Sequence, residues 1–182
     1  MLNASAENRA LAFRALGSTL MNRAEFVKAE EAFDACLAVA AHLPPATRIK
    51  AHGEAPLIVA EQYKGFICAA RGRLDEAIRH TRAAVERTVG MGHPITQAFA
   101  RAIHAHVLMM RRDYEDCLEL SEATSKLCAG PWVVFWSAHS QILEGVAAAY
   151  IQGSERSLER TENGLQNWIA NDASFTFRPG RH

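Results

Sequence analysis

A chain of 182 residues with 49% hydrophobic and 22% charged side chains has the composition of an ordinary folded protein, which excludes intrinsic disorder. Its 20 basic and 20 acidic residues cancel to a formal net charge of +0, so no global field draws it to nucleic acid, anionic membranes or acidic partners. The mild basic concentration from Arg71 to Arg87 is interleaved with Asp75, Glu76 and Glu86, the pattern of a solvated helix face rather than a phosphate-binding stripe.

In chain order, the first predicted helix runs from about Asn8 to Met21 and the second from about Phe26 to Ala41, where Pro44 and Pro45 forbid continuation. The loop HLPPATRIKAHGEAP follows. A third helix starts near Pro56, a residue favoured in a first turn, and ends near Arg71 before Gly72. The fourth, Leu74 to about Val89, puts Leu74, Ala77, Ile78, Ala84 and Val85 on one side and Arg79, Arg82 and Glu86 on the other. GMGHP then joins a glycine stop to a proline start, opening a fifth helix over Pro94 to Arg111.

The sixth, Tyr114 to Cys128, has Ser121, Thr124 and Ser125 where the first hairpin has Phe33, Cys36 and Leu37, and is expected to pack more loosely. Gly130 and Pro131 repeat the stop and start, and a seventh helix runs to about Ile151 behind Trp132, Phe135 and Trp136. An eighth ends near Ala170. The remainder, NDASFTFRPGRH, has no helical period and is expected to be an irregular tail over 171–182.

A repeat underlies these elements. Gly17, Gly65, Ala105 and Gly145 are separated by 48, 40 and 40 residues, the proline loop accounting for the longer first interval. Ala29, Ala77, Cys117 and Ser157 follow at one fixed offset, and Cys36, Ala84, Thr124 and Gly164 at another, all of them small. Helix axes approaching to about 8 Å leave no room for branched bulk at such positions. The expected fold is all-α, a right-handed α-solenoid of four helical hairpins over residues 1–170, with repeats at about 8–41, 56–89, 94–128 and 131–170.

The hairpin FRALGSTLMNRAEFVKAEEAFDACL, with this spacing of small and bulky residues, resembles a tetratricopeptide repeat. A more specific resemblance runs from about Ala12 to Pro179. It is carried by GHP before the fifth helix, Arg112 and Asp113 at a hairpin turn, Phe135 and Trp136, the glycine of ILEG, Gln152 with Gly153, and GLxxW at Gly164 to Trp168. These are similar to the C-terminal repeats of bacterial signalling proteins, in which a class III adenylate or guanylate cyclase domain, or a LuxR-like DNA-binding domain, precedes a STAND-type ATPase. The resemblance implies a regulatory, protein-binding repeat region. The chain contains no G-x-x-x-x-G-K-[ST] phosphate loop and no cyclase segment with paired aspartates, so those activities would belong to domains outside it.

In a tetratricopeptide frame the first helix of each hairpin lines a concave groove. That frame selects Arg14, Ser18, Gln62, Phe66, Phe99, His106, Met109, Met110, His139, Ile142 and Tyr150 as candidate groove residues. At each of them inter-repeat core is the competing assignment. The Lys and Asn clamp with which some repeat proteins hold a C-terminal carboxylate is not reproduced, which disfavours acidic peptide tails.

His104 and His106 point roughly 200° apart around a helix and cannot share a metal ion. His106 and His139 could meet across adjacent repeats, where a carboxylate would complete a zinc site, although a buried neutral histidine is the commoner outcome. The four cysteines, Cys36, Cys68, Cys117 and Cys128, form no C-x-x-C pair and read as small core residues. No Ser, His and Asp constellation has a supporting motif.

The sequence therefore predicts a non-enzymatic interaction scaffold with no cofactor, no metal and no catalytic residue, whose partner is a protein or peptide rather than nucleic acid or membrane. No basic segment precedes an apolar run at the N-terminus, and no stretch reaches the roughly 18 apolar residues of a spanning helix, so a cytoplasmic location is expected. Helix eight still carries Leu165, Trp168 and Ile169, and neither end offers a polar capping helix. A piece of a longer array, prone to self-association through its uncapped ends, is the corresponding expectation. The alternative is a fragment of a cyclase, STAND ATPase or transcriptional regulator.

Overall fold

The computed structural model describes residues 5–43, 55–127 and 134–170. Among them are eight helices: α1 (Ala6–Asn22), α2 (Phe26–Ala40), α3 (Pro56–Ala70), α4 (Leu74–Arg87), α5 (Pro94–Arg111), α6 (Tyr114–Leu127), α7 (Val134–Gln152) and α8 (Glu155–Ala170). No strand occurs among the described residues. The helices pair as antiparallel hairpins, and each hairpin packs on the next, α1 against α3, α3 against α5 and α5 against α7. Most of the proline loop, the Gly130 and Pro131 turn, Cys128, Trp132 and the 171–182 tail lie outside the described residues.

Local chemistry sets the ends. Ser5 caps α1, its hydroxyl accepting from the Asn8 backbone N–H at 3.2 Å, which starts the helix two residues before the predicted Asn8. Pro56 and Pro94 open α3 and α5. The first three hairpin turns are one turn used three times: the N–H groups of Glu25, Arg73 and Asp113 reach back to the carbonyls of Leu20, Cys68 and Leu108 at 2.9, 2.9 and 3.0 Å. Each requires a left-handed residue, supplied by Ala24 (φ 59°), Gly72 (φ 80°) and Arg112 (φ 70°). Only the middle turn has the glycine that this conformation favours. Ala24→Gly should therefore raise stability by about 1 kcal/mol, read from denaturant midpoints; an unchanged or lower midpoint would mean the strain is absent.

All twelve small anchor positions are buried. Gly145 is the tightest: a Cβ there would stand 2.5 Å from the Thr161 backbone N and 2.9 Å from the Ser157 carbonyl oxygen. At Gly164 it would stand 2.8 Å from the backbone N of Ile142. The core around these contacts falls into two main clusters, one centred on Phe33, Ile58, Val59 and Phe99, the other on Cys68, Ile78, Val107 and Leu143.

Two of the three polar residues of α6 are accommodated in the core, while the Ser125 hydroxyl is buried without a hydrogen-bond partner. Ser121 and Thr124 are fully buried, and the Thr124 hydroxyl donates to the Leu120 carbonyl at 2.7 Å, so that polar group is satisfied within the helix. At the other extreme, Leu158, Leu165 and Ile169 on α8 are exposed.

Candidate functional site

A cavity of about 630 Å³ opens where α1, α3, α5 and α7 face one another, and Trp168 of α8 closes one end. Its walls are aromatic. Phe66, His106, His139 and Trp168 form one row of rings with centroid separations of 5.4, 5.4 and 5.7 Å. Behind it a second row runs Phe33, Tyr63, Phe99 and Trp136 at 6.1, 5.7 and 5.0 Å. Phe135 joins the rows, at 4.6 Å from Trp136 and 4.4 Å from Trp168. Edge-on and tilted contacts dominate, the arrangement in which ring edges meet ring faces. Rings drawn from α2, α3, α5, α7 and α8 thus hold four hairpins in one register.

Polar groups are few and located. Arg14, Ser18 and Asn22 of α1 line one wall, and Arg14 is the charged residue among those lining the cavity. Opposite, His106 Nδ1 and His139 Nε2 lie 3.2 Å apart, one donating to the other. Burial pushes the His139 imidazole down to about 4, with repulsion from His106 adding to it, and burial lowers His106 as well. Both rings are therefore neutral near pH 7. His139 Nδ1 is buried without a hydrogen-bond partner, so the ring makes its one polar contact, to His106, through Nε2.

Five predicted groove residues come together here: Arg14, Ser18, Phe66, His106 and His139. The other six do not line the cavity. Gln62 and Phe99 are fully buried. The Gln62 amide donates to the carbonyls of Ala100 at 2.7 Å and Thr81 at 3.3 Å, stitching the second hairpin to the third. Met109 is half-buried against the second core cluster, and Met110 lies exposed beside it in the chain. Ile142 packs over Gly164, and Tyr150 is exposed and stacked flat on Tyr114 at 4.3 Å.

The difference between the predicted groove and the lining of the cavity has a geometric cause. The groove frame took similar positions from every first helix, but the cavity crosses the hairpins obliquely. It takes Met21 and Asn22 after Gly17 in α1, Ile103 and His106 around Ala105 in α5, and Phe135, Trp136 and His139 well before Gly145 in α7. Met110 and Tyr150 therefore fall past its edge. Tyr63, Met21, Asn22, Ile103, Phe135, Trp136 and Trp168 also line the cavity and were not selected by that frame; for the last three the density of aromatic residues in the fourth repeat was a signal, and for the other four the sequence offered none.

The predicted meeting of His106 and His139 occurs, but no carboxylate joins them in a metal-binding group among the described residues. Cys36, Cys68 and Cys117 are fully buried, and burial pushes each thiol up to about 11, far from the thiolate a nucleophile needs. No described helix is long and apolar enough to cross a membrane.

Neither a protein-family model nor a curated protein matches the sequence. The structure is similar to that of a Podosopora anserina chain of nearly identical tetratricopeptide-like repeats, described as a kinesin light chain. The match has a TM-score of 0.66 at 14% identity and covers 95% of this chain and 82% of that one. A single-substitution variant of the same protein matches with a TM-score of 0.68 at 14% identity, covering 95% and 81%. The fold is a tetratricopeptide-like α-solenoid.

Proposed function

We propose that this solenoid is a non-enzymatic recognition scaffold, and that its oblique aromatic cleft receives a bulky apolar side chain from a partner polypeptide segment. The observation that carries this reading is the cleft itself. A cavity of about 630 Å³ walled by Tyr63, Phe66, Phe135, Trp136 and Trp168 has the size and lining of a ligand site. Its polar groups are sparse: Arg14 at one wall and the neutral His106 and His139 pair at the other. That chemistry suits an uncharged aromatic or branched aliphatic anchor.

Trp136 and Trp168 are built-in reporters. Titration with short neutral peptides carrying a single Leu, Phe or Trp anchor is expected to change tryptophan emission saturably. Phe66→Asp, which puts a carboxylate on the cleft wall, should weaken the tightest peptide about 30-fold, the effect of losing an anchor pocket of roughly 2 kcal/mol. Met110→Asp, beyond the cleft, should leave affinity and helicity unchanged. Equal affinity in Phe66→Asp, or an equal loss in Met110→Asp, would remove the cleft as the site.

A regulatory role within a bacterial signalling protein is the finer form of the same reading, supported by the sequence resemblance above. The exposed Leu158, Leu165 and Ile169 of α8 favour it, since an apolar outer face on a repeat is normally covered by a following repeat or a docked domain. A second copy of the chain is the other body that could cover it.

A further inference from the structure

We propose that Cys68, Glu76 and His80 form a binding site for a single borderline divalent cation, with Zn²⁺ the best match, between the two helices of the second hairpin. The three side chains come from α3 and α4, and their donor atoms, Cys68 Sγ, a Glu76 carboxylate oxygen and a His80 ring nitrogen, all lie within 4.8 Å of one another. Zinc bonds of about 2.0 to 2.3 Å in a tetrahedron separate donors by roughly 3.3 to 3.8 Å. The group needs to contract by about 1 Å or slightly more to meet that geometry.

The local structure favours this contraction. Glu76 and His80 stand one helical turn apart on α4, with His80 Nε2 already 3.9 Å from Glu76 Oε1. Cys68 is fixed in the core, whereas the two α4 side chains are part-exposed and have room to turn toward it. Glu30 of α2 borders the group, its Oε1 3.7 Å from Cys68 Sγ, but Arg71 and Arg73 hold its carboxylate, so the fourth position falls to water unless they let go. Thiolate, imidazole and carboxylate together make a donor set that suits zinc better than calcium or magnesium.

A cation already occupies part of this space. The Arg73 guanidinium bridges Glu30 and Glu76, and Arg71 also pairs with Glu30. Arg73 fits imperfectly, because its Nε is buried with no hydrogen-bond partner. A point charge that satisfies both carboxylates and the thiol would release Arg73 toward solvent, where its side chain is already part-exposed.

Binding exchanges a proton for a metal bond. The Cys68 thiol gives its proton to solvent as the S–Zn bond forms, and His80 binds as the neutral ring. Around Cys68, burial raises the thiol to about 11, Glu76 and Glu30 add to the rise, and Arg73 opposes it. Around His80, burial lowers the ring, Lys64 and Arg79 reinforce this, and Glu76 and Asp34 oppose it. One proton released per metal makes affinity rise about tenfold per pH unit while the free thiol stays protonated.

The test uses the full untagged chain, with Co²⁺ as a spectroscopic probe and Zn²⁺ against a competing chelator. One equivalent of Co²⁺ should produce a thiolate-to-cobalt charge-transfer band that Zn²⁺ abolishes. Cys68→Ser should remove the band, while Cys36→Ser, Cys117→Ser and Cys128→Ser retain it. His80→Gln should weaken zinc by more than the about 10- to 100-fold that loss of an outer-sphere partner costs. Arg73→Ala should tighten it, a gain that a purely structural ion-pair network does not predict. Absence of the band at saturating Co²⁺ would overturn the site, as would its persistence in Cys68→Ser or weaker zinc binding in Arg73→Ala.

Discussion

Gly145→Ala is expected to destabilise the protein by about 3 kcal/mol, a fall in melting temperature of roughly 6 to 12 °C. The direction opposes helix propensity, by which alanine gains about 1 kcal/mol over glycine in a helix interior. What decides the sign is backbone. An added Cβ would meet the Thr161 N at 2.5 Å and the Ser157 carbonyl at 2.9 Å, so α7 and α8 must separate rather than let a side chain rotate away. Gly17→Ala meets only the Phe33 ring, at 2.6 Å and beyond, and should cost less. Gly153→Ala meets nothing within 4 Å, and its φ of +62° should cost only about 1 kcal/mol of strain. A melting temperature for Gly145→Ala at or above wild type would show that α7 and α8 do not approach as described.

Acid should destabilise the fold well before its carboxylates protonate. Burial lowers both His104 and His139 from the ordinary 6.5 to about 4. Each imidazole is held more weakly protonated in the folded than in the unfolded chain. Its contribution is therefore fully present above pH 6.5 and is lost as pH falls from 6.5 to about 4. Within that window each histidine removes about 1.4 kcal/mol per pH unit. His80 and His106 are shifted in the same direction.

Glu61 and Glu144 work against this, since burial raises both and favours the folded state at low pH. Denaturant unfolding at pH 7 and pH 5 should show the loss. His104→Gln should flatten the slope by one histidine's worth, the amide replacing the ring that meets the Thr81 hydroxyl at 2.8 Å. A stability equal at the two pH values would mean that the rings are not desolvated.

Architecture was legible because it is written in small residues. Gly17, Gly65, Ala105 and Gly145 mark where axes must close, and side-chain size is a local property that sequence states directly. The site was half legible for the same reason that the fold was. Counting along one helix finds Phe66 and His106, which sit one residue after their anchors, but the rotation between successive hairpins is a sum of packing angles that no single repeat encodes. Phe135 and Trp136 enter the cleft through that accumulated rotation, and Gln62 leaves it. Gln62 is a residue type usually found at the surface; here the facing carbonyls of Thr81 and Ala100 satisfy its amide nitrogen, while its Oε1 is buried without a partner.

The cleft draws its walls from the first hairpin, through Arg14 and Met21, to the last, through Trp168. An occupant would therefore touch both ends of a structure whose main described contacts run between neighbouring hairpins, as a crossbrace does on a spring. Stretching the ends apart opens the walls and ejects the occupant, while a seated occupant stiffens the coil against bending. Grip and tension would then oppose each other: on the proposed reading, pulling the first and last hairpins apart should weaken an occupant's hold, and a seated occupant should resist the pull.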